Sequence, residues 1–294
     1  MSDSLDPISA AVGTRFTDCR WVAETGSTNA DLLADGPGPT ASSTVLVADH
    51  QTAGRGRLDR RWQAPPGRNL LLSIRLDPAE FGVPAPAGWG RFGTALAVAA
   101  VEAIGAVGVG VGVKWPNDIV ALGAAEDHGK VGGMLAEATS TTLVLGLGLN
   151  VGWPGPDSPG PDSPGPDSPV MEVAPPGATS LRRLGYDGDR QTVLRHLLAA
   201  YDRWLDRITP GPDRADGPDL DGPDLEGPDL DGLRAAYVDC CVTLGRPVRI
   251  ERAAKPPLTG TATGLTAAGH LVLTDEAGAL HEISVGDVVH LRRA

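Results

Sequence analysis

HQTAGRGRLDRRW, residues 50–62, separates two strand-like runs, STVLVAD (43–49) and NLLLSIRL (69–76). Both runs are short and apolar, as buried strands are. The stretch between them therefore connects two strands and has no helix to shape it. It holds four arginines within seven positions, namely Arg55, Arg57, Arg60 and Arg61.

Two interpretations of this arginine loop (residues 50–62) compete. It is either a solvated or nucleic-acid-binding surface patch, or a mobile loop that closes on a small anionic ligand through charge-assisted hydrogen bonds. Gly54 and Gly56 flank Arg55 and free the backbone there. Repulsion among the four guanidinium groups predicts a poorly ordered loop until an anion binds.

The composition argues against a general nucleic-acid binder, because the formal net charge is -12 and the pI is about 4.9. A chain of 294 residues with 41% hydrophobic content buries a full core in one or two domains. Three cysteines without C-x-x-C spacing indicate neither a disulfide framework nor a zinc site. The first residues, MSDSLDPISAAV, lack the features of a signal peptide, so we expect a cytoplasmic protein.

One segment, FGTALAVAAVEAIGAVGVGVGV (92–113), is long and apolar enough to suggest a membrane span. It consists mostly of Ala, Gly and Val, with a single charge at Glu102. A buried helix over about 91–105, a glycine turn and a strand over about 109–114 explain it better. We therefore expect no membrane association.

Two repeats rich in Pro, Gly and Asp, PGPDSPGPDSPGPDSP (154–169) and DGPDLDGPDLEGPDLDG (216–232), interrupt the chain. Such compositions build neither helix nor sheet and predict solvated surface loops. The segments 178–186 and 189–208 between them predict two helices. From 245 to 294, short strand-like runs separated by Gly and Asp turns predict a small all-β barrel.

Polar residues open a predicted helix in ETGSTNADLLA (24–34). Thr28 and Asp31 fit a capping box, which is a purely structural interpretation. The functional interpretation is a polar cluster that holds a carbonyl group or an anion.

Two of the three lysines fall in short motifs beside small or turn-forming residues. In KWPND (114–118), Lys114 and Asp118 either face a common site or form an ordinary surface ion pair. In HGKVGGMLAEA (128–138), Lys130 precedes two glycines that let a ligand approach the backbone, unless it is simply exposed at a hairpin entry.

TTLVLGLGLNVGW (141–153) is a predicted strand with a period of two. Leucines occupy one face, whereas Gly146, Gly148 and Asn150 share the other. A strand that is bare on one face loses packing area unless a helix or a flat ligand covers it. The chain contains no phosphate-loop, nucleophile-elbow or zinc-protease motif.

The order of these motifs is more specific than any one of them. ETGSTN, QTAGRGR with a downstream RRW, KWPND, KVGGMLAE and GLGLN precede a small terminal β domain. This order resembles a bacterial biotin protein ligase over residues 20–152 and 170–294. The resemblance implies an α+β fold, in which a mixed β-sheet flanked by helices, similar to class II aminoacyl-tRNA synthetases and biotin–lipoate ligases, precedes a C-terminal barrel.

The same resemblance divides the chain into an N-terminal extension (1–23), a catalytic domain (24–243) and the terminal barrel (245–294). Some members of the family carry an N-terminal helix-turn-helix domain, for which 1–23 is too short, so we expect no DNA-binding function. The family pattern continues G-R-G-R-x-G-R, whereas Asp59 stands at the last glycine position here.

The implied activity has two steps. Biotin and ATP, with Mg²⁺ on the phosphates, form biotinyl-5′-AMP and pyrophosphate, and a lysine of a biotin carboxyl carrier domain then displaces AMP. The expected partners are carrier domains of biotin-dependent carboxylases. We expect no nucleic-acid or membrane partner, and the sequence does not decide whether the protein forms a homodimer. An arginine-rich loop fits the first step, because a carboxylate and a triphosphate repel each other unless cations lie between them.

Carried onto this chain, the resemblance implies biotin contacts by Ser27, Thr28, Asn29, Gln51, Arg55, Gly56, Arg57, Lys130, Gly132 and Gly133. It implies ATP contacts by Arg57, Trp62, Lys114, Asn117 and Asn150. The implied catalytic residues are the cations Arg55, Arg57 and Lys130, together with Asp118. Asp118 would position or deprotonate the incoming lysine. No metal ligand from the protein is implied.

Two alternatives stay open from the sequence. A lipoate ligase or octanoyltransferase belongs to the same superfamily, although KWPND and the arginine loop favour biotin. A non-catalytic module that binds nucleic acid through the arginine loop is disfavoured by the acidity of the chain.

Deletion of residues 154–169 is expected to leave activity intact, because a Pro- and Gly-rich segment adds no packed structure. The measurement is biotin-dependent exchange of pyrophosphate into ATP, compared between the deletion variant and the full chain. A collapse of exchange in a folded variant would show that the repeat is structural.

Overall fold

The computed structural model describes residues 15–35, 43–58, 60–123, 129–154, 175–209, 228–252, 255–266, 268–284 and 286–291. Asp59 and most of both repeats lie outside these described residues. The described chain forms a seven-stranded sheet and a five-stranded sheet, with helices packed between and around them. This architecture confirms the predicted α+β class.

The larger sheet is mixed. Its strands are β1 (Asp18–Thr25), β2 (Ser43–Gln51), β3 (Leu70–Leu76), β4 (Val111–Lys114), β5 (Asp118–Ala121), β6 (Lys130–Ala138) and β7 (Leu143–Leu149). They lie in the order β1-β2-β3-β7-β6-β5-β4, with β1 parallel to β2 and every other pair antiparallel. Since β2 and β3 are paired neighbours, the arginine loop is the connection of a hairpin.

Helices cover the two faces of this sheet unequally. They are α1 (Thr28–Ala34), α2 (Gly90–Ala106), α3 (Arg190–Ile208) and α4 (Leu230–Cys240), with a 3₁₀ helix at Pro86–Gly88. On one face, α2 and α3 pack together and bury their apolar side chains in the main core. On the opposite face, the short α1 covers only a patch, where Leu32 packs on Leu46 and Val144. The rest of that face remains available for a site.

The apolar segment 92–113 forms α2 followed by β4, as the sequence predicts. Nine residues of α2 are buried, so its apolar character serves the core of the protein. Within the described residues, we find no helix long and apolar enough to cross a membrane.

The smaller sheet is all-β, as predicted, but it is not a barrel. Its strands are β8 (Pro247–Arg252), β9 (Lys255–Leu265), β10 (Leu271–Thr274), β11 (Leu280–Ile283) and β12 (Asp287–His290). They pair antiparallel in the order β11-β10-β9-β8-β12. Closure would require β11 to pair with β12, and these short strands lie at opposite edges of the described sheet. Its apolar face, including Val248 and Ile250, joins the core of the larger sheet.

Residues 178–186, predicted as a helix, form turns and irregular structure instead. Besides local turn hydrogen bonds, the segment makes backbone hydrogen bonds to distant parts of the chain. Thr179 N–H donates to Lys130 O at 2.9 Å, and Leu181 N–H donates to Asn150 O, also at 2.9 Å. The segment is thereby held along the start of β6 and the end of β7, which a local pattern could not indicate.

Residues in the predicted N-terminal extension and in both repeats take part in described elements or contacts. β1 begins at Asp18, inside the predicted N-terminal extension, and pairs with β2. α4 begins at Leu230, inside the second repeat, because the Asp229 side chain caps its first turn. At the first repeat, Pro154 O accepts from the Ser180 hydroxyl at 2.5 Å, so Pro154 is held against the segment 178–186.

The three cysteines are free thiols, in agreement with the absence of a predicted disulfide framework. Burial raises the pKa of the Cys19 thiol and of the Cys240 thiol to about 12. Both side chains therefore stay protonated and unreactive near neutral pH.

Replacement of Leu197 on α3 by alanine should lower the free energy of unfolding by about 2–5 kcal/mol, because it opens a cavity in the main core. Denaturant unfolding measures the change. His196→Ala is the matched control, since His196 is exposed on the same helix and should change stability by less than about 0.5 kcal/mol. Equal losses in the two variants would contradict the packing of α3.

Candidate active site

A pocket of about 430 Å³ opens on the face of the larger sheet that α1 leaves uncovered. The arginine loop, β5, β6, β7 and β12 contribute to its walls. The predicted site residues that line it are Ser27, Thr28, Asn29, Gln51, Arg55, Gly56, Arg57, Trp62, Lys114, Asn117, Asp118, Lys130, Gly133 and Asn150. Motifs that are far apart in the sequence thus meet in one place.

The glycines of β7 form the floor of this pocket. A Cβ atom at Gly146 would lie 2.4 Å from Asn29 Oδ1, and one at Gly148 would lie 2.5 Å from the Trp62 indole. Neither clearance admits a side chain, so both positions require glycine while Asn29 and Trp62 stay in place. The bare strand face predicted from GLGLN is therefore covered by α1 and by the arginine loop.

Gly132 is a predicted biotin contact that does not line the pocket. A Cβ atom there would lie 2.6 Å from Leu149 Cδ2 and 2.8 Å from Gly148 O. The residue is buried between paired strands, and its lack of a side chain permits the close approach of β6 to β7. In this structure, the packing of β6 against β7 accounts for a glycine at this position.

The predicted capping box of Thr28 and Asp31 does not form. The N-cap residue of α1 is Ser27, and its side chain makes no hydrogen bond to the helix. The Asp31 carboxylate instead accepts from the Thr25 hydroxyl. Ser27 and Thr28 therefore present polar groups to the pocket.

Ser73, a fully buried residue of β3, organises this polar end and was missed from the sequence. Its hydroxyl lies 2.7 Å from Thr28 Oγ1 and donates to Asn29 Oδ1 at 2.5 Å. Thr28 N–H also donates to Gln51 Oε1 at 2.8 Å. The one feature of the sequence that could have indicated its role is a single hydroxyl residue in the otherwise leucine-rich strand NLLLSIRL (69–76).

Glu137 on β6 was also missed, although it is the last but one residue of the quoted segment HGKVGGMLAEA (128–138). Its Oε2 atom accepts from Asn29 Nδ2 at 2.8 Å and lies 2.9 Å from Arg55 Nη2. One carboxylate thus connects α1 to the arginine loop.

Lys130 and Asp118 form an ion pair in the wall of the pocket. Lys130 Nζ donates to Asp118 Oδ1 at 2.7 Å and lies 5.7 Å from the centre of the Trp62 ring. Lys114 and Asp118 do face the same pocket, but Asp118 pairs with Lys130 rather than with Lys114. The indole N–H of Trp62 is buried against Gly148 and has no hydrogen-bond partner among the described residues.

The arginine loop folds back on itself beside this ion pair. Gly56 N–H donates to Arg60 O at 2.7 Å, and Trp62 N–H donates to Gly54 O at 3.0 Å. Three arginines have partners in three different parts of the chain: Arg55 with Glu137 on β6, Arg57 with Asn117 in the turn before β5, and Arg60 with Asp287 on β12. These contacts offset the mutual repulsion on which the prediction of a poorly ordered loop rested.

Comparison with known proteins agrees with this geometry. The Biotin/lipoate A/B protein ligase family matches residues 25–152, and the Biotin protein ligase C terminal domain matches residues 243–291. A biotin–[acetyl-CoA-carboxylase] ligase of Mycobacterium tuberculosis is 35% identical over 97% of this chain and 92% of its own length. The chain belongs to the biotin protein ligase family.

Further relatives support this assignment. A biotin–[acetyl-CoA-carboxylase] ligase of Paracoccus denitrificans is 30% identical over 87% of this chain and 94% of its own length. The structure of a biotin protein ligase from Aquifex aeolicus in complex with biotin and ATP has a TM-score of 0.67 at 25% identity. The similarity covers 95% of this chain and all of that one.

In this member of the biotin protein ligase family, the C-terminal sheet forms part of the pocket wall. Asp287, Val288 and Val289 of β12 line the pocket, and Asp287 pairs with Arg60 of the arginine loop. No site residue is predicted in this region, because a strand in a separate sheet carries no local sign of what it faces.

Gly148→Ala should release the arginine loop of this biotin protein ligase, because the added methyl group would lie 2.5–2.8 Å from three atoms of the Trp62 indole. We expect trypsin to cleave between Arg55 and Arg61 roughly tenfold faster, as a loss of about 1.4 kcal/mol in loop docking would give. Gly26→Ala is the control, since a Cβ atom there meets nothing within 4 Å. Equal cleavage of both variants would show that Trp62 does not hold the loop.

Proposed function

We propose that this protein attaches biotin to a specific lysine of a biotin carboxyl carrier domain, using ATP and forming biotinyl-5′-AMP. The observation that supports it most directly is the concentration of paired cations over an uncharged floor. Lys130, Arg55 and Arg57 lie around a strand face of glycines, in a pocket that an apolar molecule with one carboxylate would fit. The relatives named as biotin ligases agree with this chemistry.

In the first step, a carboxylate oxygen of biotin attacks the α-phosphorus of ATP, and the bond from that phosphorus to pyrophosphate breaks. The two reactants are both anions, so the barrier contains a large electrostatic contribution. Lys130 and Arg57 are assigned to the reacting carboxylate and phosphate, with Arg55 beside them. Their present partners Asp118, Asn117 and Glu137 keep the three cations in place before the substrates arrive.

In the second step, the amine of the carrier lysine attacks the acyl carbon of biotinyl-5′-AMP. The bond between that carbon and the phosphate oxygen breaks, AMP leaves, and the amine loses a proton. We assign Asp118 to orient the incoming amine, since its Oδ1 atom already accepts from Lys130 while the carboxylate faces the pocket. The anhydride hydrolyses in water, so the arginine loop is assigned to cover it until the carrier arrives.

The remaining assignments divide the pocket into two ends. Ser27, Thr28, Asn29 and Gln51 form the polar end at α1, which suits the ureido head of biotin. Trp62, Lys114, Asn117 and Asn150 are assigned to ATP. Mg²⁺ enters as part of the ATP substrate, on its phosphates, and the described residues include no group of three or more metal-ligating side chains.

The proposed partner is a carrier domain of a biotin-dependent carboxylase, as the names of the relatives suggest for those proteins. The proposed compartment is the cytoplasm, where ATP is available and the three cysteines would stay as the free thiols seen here.

Lys130→Ala and Arg57→Ala should each reduce biotin-dependent exchange of labelled pyrophosphate into ATP by about 10²–10³-fold, because each removes a positive charge at the reacting phosphate. Lys255→Ala and Arg249→Ala are matched controls, since these cations lie on the smaller sheet and do not line the pocket. Both controls should keep the full exchange rate.

The same assay tests the function as well as the residues. Lipoate in place of biotin should give no exchange, and a purified carrier domain should become biotinylated in the complete reaction. If lipoate supported exchange and biotin did not, the protein would be a lipoate ligase and the proposed function would be wrong. Near-normal exchange in either alanine variant would remove that residue from the catalytic assignment.

A further inference from the structure

Asn69 is a fully buried polar residue that directly precedes β3 and does not line the pocket. Its Oδ1 atom accepts from Val151 N–H at 3.1 Å and from Trp153 N–H at 3.0 Å. Its Nδ2 atom donates to Asn150 Oδ1 at 3.0 Å. Buried amides require such partners, and here they lie at the end of β7, where the pocket residue Asn150 is located.

The Asn150 side chain is held from its other end as well. Its Nδ2 atom donates to Thr179 O at 3.0 Å and to Lys130 O at 3.3 Å. Backbone carbonyls only accept, just as the backbone N–H groups on Asn69 only donate. The orientations of both side-chain amides are therefore determined by backbone groups at each end of the pair.

This pairing decides what Asn150 can offer to a ligand. Both hydrogens of its Nδ2 atom are used, whereas Oδ1 accepts one hydrogen bond and has a second lone pair. The residue lines the pocket although it is 5% exposed. Asn150 can therefore act toward a bound molecule only as an acceptor, and the matching ligand group must carry an N–H or O–H.

We propose that Asn69 is a positioning residue for nucleotide recognition: it orients the Asn150 amide so that its oxygen accepts from the bound base. The base that fits is one whose edge donates an N–H, as the exocyclic amino group of adenine does. This inference rests on the proposed function, in which Asn150 lies on the ATP side of the pocket. Asn69 itself touches no substrate and acts through Asn150.

The variant Asn69→Asp isolates this role. Aspartate has the same shape and can still accept from Val151 N–H and Trp153 N–H, but it cannot donate to Asn150 Oδ1. Two oxygens would then face each other and repel, and the bonds of Asn150 Nδ2 to Thr179 O and Lys130 O oppose a turn of the amide. The Asn150 oxygen would therefore be pushed out of its present position. A purely structural role of Asn69 would predict lower stability without a change in nucleotide preference.

The experiment compares ATP with purine riboside 5′-triphosphate, which lacks the amino group, in biotin-dependent pyrophosphate exchange. For the unmodified chain, we expect a KM about tenfold higher for the analogue, as loss of one hydrogen bond to a buried acceptor gives. For Asn69→Asp, the KM for ATP should rise about tenfold and the two nucleotides should become equivalent. The KM for biotin should stay the same.

Ser180→Ala is the control, because the Ser180 hydroxyl is buried and donates to Pro154 O next to the same segment. It should lower the melting temperature but retain the preference for ATP. Equal use of both nucleotides by the unmodified chain would overturn the inference, even if Asn69→Asp failed to fold. A retained preference in Asn69→Asp would overturn it too. Exchange absent with every nucleotide would refute the proposed function, and this inference with it.

Discussion

The bare glycine face of β7 is the constraint on which the site depends. A side chain at Gly146 or Gly148 would displace Asn29 or Trp62, since the clearances are 2.4 and 2.5 Å. The leucines on the opposite face of β7 lie in the main core and hold the strand in place. One strand thus belongs to the core on one side and forms the floor of the pocket on the other.

The cationic side chains around this glycine floor are arranged so that a protein with a negative net charge can still bind a carboxylate or a phosphate. Each paired cation has a partner from another element: Lys130 has Asp118, Arg55 has Glu137 and Arg57 has Asn117. The two ion pairs among them are exposed or half-buried and stabilise the fold by only about 0–1 kcal/mol each. Their weakness is useful, because an arriving carboxylate or phosphate can replace these partners at little cost.

Buried amides and the smaller sheet define the rest of the pocket. The Asn69–Asn150 pair joins the beginning of β3 to the end of β7 and to the backbone of Lys130. The smaller sheet shares the main core through Val248 and contributes Asp287 to the pocket wall. It therefore contributes both to the main core and to the wall of the pocket.

The sequence by itself determined the strands beside the arginine loop, the helices α2 and α3, and the motifs that supply the pocket, because these follow local periodicity and residue chemistry. Only the tertiary structure decided that 178–186 pairs sideways instead of forming a helix, and that the terminal sheet stays open. It alone brought Ser73, Asn69 and Glu137 to the site. The physical reason is that a buried polar atom takes its partner from whatever packs against it, and that partner usually comes from a distant part of the chain.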